Sequence, residues 1–274
     1  MINIIDLSVN YKESLALDKV SIRIGKGELI AVVGANGAGK STLLKSIMQQ
    51  LKPSSGSIDL GKLTLKNLAY LPQSHQIDRQ FPITVREFIS AGAWQRISFW
   101  RVFGRAEQLL LEKALDQVNL KGVEDRQIST LSGGQFQRML FARMLMQDAE
   151  ILLLDEPFNA IDAQTTMDLM DVIHHCQNKG KTIITVIHDL ALVERFFPNV
   201  MLLATQLIAS GKTKSVMTGE NLSKAGYQHL AYIPHNPSPS STKDATEQSE
   251  KPSSKSAVDS ISCSNLAHYE ENIS

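Results

Sequence analysis

The chain has little cysteine, no net charge and no long apolar run. Cys176 and Cys263 are the two cysteines in 274 residues and stand in unrelated contexts. They leave a disulfide open but favour a reduced, cytosolic protein. Twenty-eight basic and twenty-eight acidic residues cancel, so no overall field draws the chain to nucleic acid or to an anionic membrane. The longest apolar stretches, such as Val200 to Ala209, fall short of the roughly 20 residues that a spanning helix needs. Met1 to Asp6 shows no basic segment followed by an apolar core, so no signal peptide is expected. The chain is expected to be soluble by itself, with any membrane role supplied by a partner. What remains is ample apolar content for one large domain or two small ones.

Short apolar strands alternate with helical stretches. Ile2, Ile4, Leu7 and Val9 alternate in the manner of a strand, followed by Val20, Ile22 and Ile24. Leu29 to Val33 is wholly apolar, which suits the interior of a parallel sheet. A glycine-rich loop follows, then a helix over Ser41 to Leu51. Leu68 to Gln73 reads as a strand ended by Pro72. Thr84 caps a helix from Val85, with Glu87 completing a capping box. The helical pattern runs on to about Gln127, notably Glu107 to Asn119, and resumes over Gln135 to Met146. Two more buried strands, Glu150 to Asp155 and Lys181 to Ile187, alternate with helices over Thr165 to Lys179 and Leu190 to Phe197. Val200 to Ala209 finishes the sheet before a turn at Ser210-Gly211. The pattern predicts an α/β fold with a largely parallel sheet. From His235 to Ser274 the chain is rich in Ser, Pro, Lys and Glu; it buries too little to offset ordering, and a disordered tail is expected.

Gly34-Ala35-Asn36-Gly37-Ala38-Gly39-Lys40-Ser41-Thr42 satisfies the phosphate-loop pattern between a strand and a helix. Its backbone N–H groups can surround phosphate oxygens at a helix N-terminus. Lys40 supplies charge to the β- and γ-phosphates, Ser41 a hydroxyl for Mg²⁺, and Thr42 a further phosphate contact. Asp155 and Glu156 end a buried strand, where ligand sites of open α/β sheets lie. Asp155 is expected to orient Mg²⁺.

Leu131-Ser132-Gly133-Gly134-Gln135 is the second informative stretch; chance would produce it in a chain of this length with probability on the order of 10⁻⁴. With the phosphate loop, it resembles the ABC-type ATPases. The resemblance implies a P-loop NTPase (RecA-like) core with an antiparallel β subdomain and an inserted helical subdomain. Residues 1–233 are then the nucleotide-binding domain, with the helical subdomain at about 84–145 and a Ser/Pro-rich tail over 234–274. It further implies ATP and Mg²⁺ as cofactors and Glu156 as the base that polarises the attacking water. Gln73 resembles the glutamine that meets Mg²⁺ and that water, and His188 the residue that bonds the γ-phosphate. Tyr11 takes the place of the adenine platform. Asn159-Ala160-Ile161-Asp162 stands where a loop crosses between subunits, with Asn159 and Ile161 departing from the usual Ser and Leu. Ser132, Gly133, Gly134 and Gln135 form an anion trap that needs a second copy, because the chain's own phosphate loop holds the other side of the nucleotide.

Tyr70-Leu71-Pro72-Gln73, Asp78 and Phe81 to Val85 look like the ATP-binding subunits of bacterial zinc, manganese or iron importers. That resemblance spans roughly Ile4 to Tyr227. It implies a homodimer on the cytoplasmic face of the inner membrane, paired with an integral membrane permease and, through it, an extracytoplasmic metal-binding protein, with no nucleic acid. Iron-chelate importers and exporters share the same core chemistry. Translation-type or drug-resistance ABC proteins without membrane partners usually carry two such domains, whereas each motif occurs here once, and the long heptad coiled coils of chromosome-maintenance ATPases have no counterpart in the sequence. Trp94, Phe99, Trp100 and Phe103, among Arg96, Arg101 and Arg105, either line a groove for the permease or fill the helical subdomain.

Overall fold

The computed structural model describes residues 1–11, 14–95 and 104–227. The expected tail, Phe99, Trp100, Phe103, Arg96 and Arg101 lie outside the described residues. Among the described residues, nine strands form two sheets. β1 (Ile2–Tyr11), β2 (Ser14–Ile24) and β4 (Ser55–Asp59) make an antiparallel sheet in the order β2-β1-β4. The larger sheet runs β5-β6-β7-β3-β8-β9. Its members are β3 (Leu29–Val33), β5 (Leu68–Leu71), β6 (Ile151–Asp155), β7 (Thr182–Val186), β8 (Asn199–Ala204) and β9 (Gln206–Lys212). All its pairings are parallel except β8 with β9.

The alternation of side chains along each central strand divides the core. Leu29, Ala31 and Val33 face a cluster with Leu152, Leu154, Phe136 and Phe141 on the helical side. Ile30 and Val32 face the other way, toward Leu43, Leu44, Leu7 and Leu153 beneath the small sheet. Both faces are covered, so β3, β6 and β7 are buried throughout; β3 is wholly apolar, β6 is apolar up to Asp155, and β7 carries Thr182 and Thr185 among apolar residues.

α1 (Lys40–Ile47) follows β3 directly. α2 (Val85–Ser90), α3 (Arg105–Gln117) and α4 (Gly133–Met146) pack on one another between β5 and β6 in chain order. α5 (Ala163–Asn178) and α6 (Leu190–Phe196) flank β7, and the short α7 (Thr213–Val216) and α8 (Gly219–Lys224) follow β9. The capping box expected at Thr84 and Glu87 is present, with Thr84 N–H donating to Glu87 Oε2 at 2.8 Å.

Two expectations need correction, and one strand was not expected. The helical pattern does not reach Gln127: α3 stops at Gln117, and Asn119 and Gly122 take positive φ values of 52° and 85°, which no helix continues through. Val200 to Ala209 is not one strand. The chain reverses at Thr205 (φ 63°), and Ser210 and Gly211 pair with Met201 and Val200 inside β9 rather than turning. Thr205 is held from outside the hairpin, its carbonyl accepting from Asp18 N and its N–H donating to Ala38 O, so an apolar run conceals the turn. β4 has no sequence signature, because Ser55-Gly56-Ser57-Ile58-Asp59 has almost no apolar pattern; as an edge strand it needs only backbone pairing. The break in alternation between Ile4 and Leu7 is a bulge at Asp6, whose φ is 46°.

Candidate functional site

β3 delivers the phosphate loop to the carboxyl edge of the sheet, and β6 and β7 deliver Asp155-Glu156 and His188 beside it. Gly34 is closely enclosed there: a Cβ on it would lie 2.1 Å from Leu203 O, so only glycine lets the loop leave the sheet at this point. Lys40, 5% exposed, folds back over the loop and donates to the carbonyls of Gly34 and Ala35, both at 2.8 Å. Burial pushes its pKa down, against the upward pull of Glu156 and Asp155.

Asp155 is fully buried and surrounded by donors. Ser41 Oγ donates to Oδ1 at 3.0 Å, Gln73 Nε2 to the same oxygen at 3.4 Å, and Tyr70 Oη to Oδ2 at 3.1 Å. Burial raises the Asp155 pKa, while the bonds from Ser41, Tyr70 and Gln73 oppose that rise. Burial likewise raises the Tyr70 phenol, with Asp155 adding to it. Hydroxyl, carboxylate and side-chain amide form a hard-oxygen set of the kind that holds Mg²⁺ through one or two protein ligands plus phosphates. The residues present therefore fit that ion.

Glu156 points the other way. Its φ of 52° turns the chain at the end of β6, and its two oxygens separate the roles of two neighbours. Oε1 lies 2.7 Å from His188 Nε2, and Oε2 accepts from Asn159 Nδ2 at 3.3 Å. A cleft of about 1090 Å³ opens on this side, lined by Asn36, Glu156, Asn159, Ile161, His188 and Arg195.

Ser132 to Gln135 stand apart from this group, with Ala160, Asp162 and Thr165 as neighbours. Among the described residues no hydrogen bond is found between them and Gly34 to Thr42. Ser132 caps α4: its Oγ accepts from Gln135 N at 3.2 Å, and its own N–H donates to Gln135 Oε1 at 3.2 Å. Gly133 and Gly134 thus occupy the first turn, where N–H groups lack helical acceptors. Asp162 caps α5 through Thr165 N at 2.8 Å, and that bond lowers its pKa. Tyr11 ends β1, 52% exposed, and pairs with Ser14 on the strand whose Ala16 abuts Gly39.

Four contributors carry no sequence signal of the contacts they make here. Tyr70 on an apolar strand looks like core. Asn159 stood out only as a departure from a family pattern. Arg79 lies in a polar loop, yet its Nη2 donates to Leu131 O and its guanidinium covers the Phe136 ring at 4.4 Å. Tyr227, 193 positions from Gly34, donates to Gly34 O at 3.0 Å.

The family model described as "ABC transporter" matches residues 17–159. The chain is 39% identical over 220 residues to the manganese transport system ATP-binding protein MntB of Listeria monocytogenes, covering 79% of this chain and 92% of that one. It is 38% identical over 224 residues to the zinc transport system ATP-binding protein TroB of Treponema pallidum, covering 80% and 84%. Among solved structures, the dimeric MJ0796, a bacterial ABC transporter cassette, superposes with a TM-score of 0.69 at 25% identity, covering 78% of this chain and 99% of that one.

Proposed function

The chain belongs to the ABC transporter family of ATPases, and from that premise we propose that it powers import of a divalent metal ion, manganese or zinc, through a membrane permease. The observation that carries the catalytic part is the division of labour at the end of β6. Asp155 gathers Ser41 and Gln73, while the adjacent Glu156 turns toward His188 and Asn159. Ser41, Asp155 and Gln73 would hold Mg²⁺, which when bound offsets charge on the β- and γ-phosphates. Lys40 and the loop N–H groups hold the phosphates, Tyr11 stacks on the adenine, and Glu156 takes the proton of the attacking water. His188 orients that carboxylate and meets the γ-phosphate.

The separation of Ser132 to Gln135 from the phosphate loop supports a head-to-tail dimer, in which each copy caps its twin's nucleotide. Hydrolysis removes the bridging γ-phosphate and loosens the pair. Among the described residues no helix is long and apolar enough to cross a membrane. We place the dimer on the cytoplasmic face of the permease, with an extracytoplasmic metal-binding protein on the far side. Residues 84–145 are the subdomain that meets the permease. Trp94 in that region is 75% exposed, with Phe81 and Leu109 each 59% exposed, which supports a docking rather than a core role for Trp94. The names of the 35–39% identical relatives support manganese or zinc as cargo.

The test is deletion of the gene followed by growth in medium depleted of one metal at a time. Restoration by added manganese or zinc alone supports the assignment. Growth unaffected by any metal, together with no ATPase stimulation by a co-purified permease, would remove it.

A further inference from the structure

α8 ends in a tight left-handed turn that aims one side chain at the phosphate loop. Gly226 has φ +92°, Gly226 N–H donates to Ser223 O at 3.1 Å, and Tyr227 N–H reaches back to Leu222 O at 2.9 Å. That pair of bonds is the Schellman ending, which fixes the residue after the glycine with little freedom. Buried Ala225 and Leu222 anchor the turn against the core.

The turn grips a single peptide unit at both ends. Ala225 O accepts from Ala35 N at 3.2 Å, and Tyr227 Oη donates to Gly34 O at 3.0 Å. Gly34 O and Ala35 N belong to one plane, so the plane cannot rotate without losing both bonds. The same Gly34 oxygen accepts from Lys40 Nζ at 2.8 Å, which uses its second lone pair. Lys40 is therefore held by a carbonyl whose direction is set by residues up to 193 positions further along the chain.

We propose that Tyr227 is a positioning residue: with Ala225 it latches the Gly34–Ala35 peptide so that Lys40 is presented to the nucleotide phosphates. The proposal rests on the ATP-binding reading for its consequence, though the latch itself stands on geometry alone. A Tyr227→Phe change keeps the ring and removes the donor. A Gly226→Ala change instead forces the latch away, because its Cβ would lie 2.8 Å from Ala35 Cβ at a φ that side chains rarely adopt.

The experiment uses the full chain with two readouts. Amide exchange over Gly34 to Ala38 without nucleotide reports the latch, and titration with Mg-ADP reports the presentation of Lys40. Both variants are expected to exchange several-fold faster in that segment and to bind Mg-ADP about 3- to 10-fold more weakly, the range set by one modest hydrogen bond. Unaltered melting without nucleotide in Tyr227→Phe separates the effect from general destabilisation. Unchanged exchange in both variants overturns the latch. Faster exchange with unchanged affinity overturns the positioning of Lys40. Wild-type protein that fails to bind Mg-ADP removes the ATP reading instead, and exchange alone then decides the latch.

Discussion

The guanidinium of Arg79 lies 4.4 Å from the centre of the Phe136 ring and donates to the carbonyl of Leu131. Leu131 and Phe136 bracket Ser132 to Gln135, and Arg79 lies six positions beyond Gln73 in the same loop. The loop that begins at the Asp155 cluster is thus pinned to the cap of α4. Replacing Arg79 by Ala removes a charge-assisted bond and a cation–π contact, together about 1–3 kcal/mol. The variant should melt earlier and turn over ATP more slowly, with Arg79→Lys restoring most of both. Wild-type melting in Arg79→Ala would show the clamp to be idle.

Glu156→Gln should slow ATP hydrolysis by at least about 10²-fold, the ordinary cost of losing a general base. Binding should survive, so the variant is expected to elute as a dimer in ATP and as a monomer without it. Normal turnover would mean that another group activates the water.

Tyr70→Phe removes the only donor found on Asp155 Oδ2 among the described residues. Asp155 is fully buried, so the oxygen is left without a partner at a cost of about 1–3 kcal/mol. The midpoint of urea unfolding should fall accordingly, and half-maximal hydrolysis should need more Mg²⁺. A variant with unchanged midpoint and Mg²⁺ dependence would remove Tyr70 from the site.

Arg138 ties α4 to α5: it donates to Val118 O at 3.0 Å and pairs with Asp168. The bond from Arg138 holds the Asp168 carboxyl below its usual pKa. A depressed carboxylate contributes its stability in full above the unfolded value of about 3.9, and loses it as pH falls through the lower folded value. The wild type should therefore lose stability between pH 4 and the low-pH limit more steeply than Asp168→Asn, about 2 pH units being enough to see the difference. Parallel acid limbs for the two proteins would exclude this pair as the cause.

Much of the candidate site could be nominated from local pattern. A phosphate loop is its own backbone geometry, so Gly34 to Thr42 could be read without knowing what surrounds them. Asp155-Glu156 could be placed because four apolar residues before them demand a buried strand. The Ser132–Gln135 capping box was written in the sequence too, as Ser followed three residues later by Gln, though only the structure gives it that use. The hairpin at Thr205 and the edge strand β4 were not legible, because a turn braced by Asp18 and Ala38 needs no turn residues of its own and an edge strand needs no apolar face.

By itself the sequence determined the α/β class, the phosphate loop and the order of the candidate site residues along the chain, since each depends on neighbours within a turn of helix or a single strand. Only the tertiary structure decided which oxygen of Asp155 meets Tyr70, that Arg79 clasps the cap of α4, and that Tyr227 holds the Gly34 carbonyl. Those bonds join residues 52 to 193 positions apart. Their geometry follows from how two sheets and a layer of helices close over a shared core, a property that no local stretch of sequence contains.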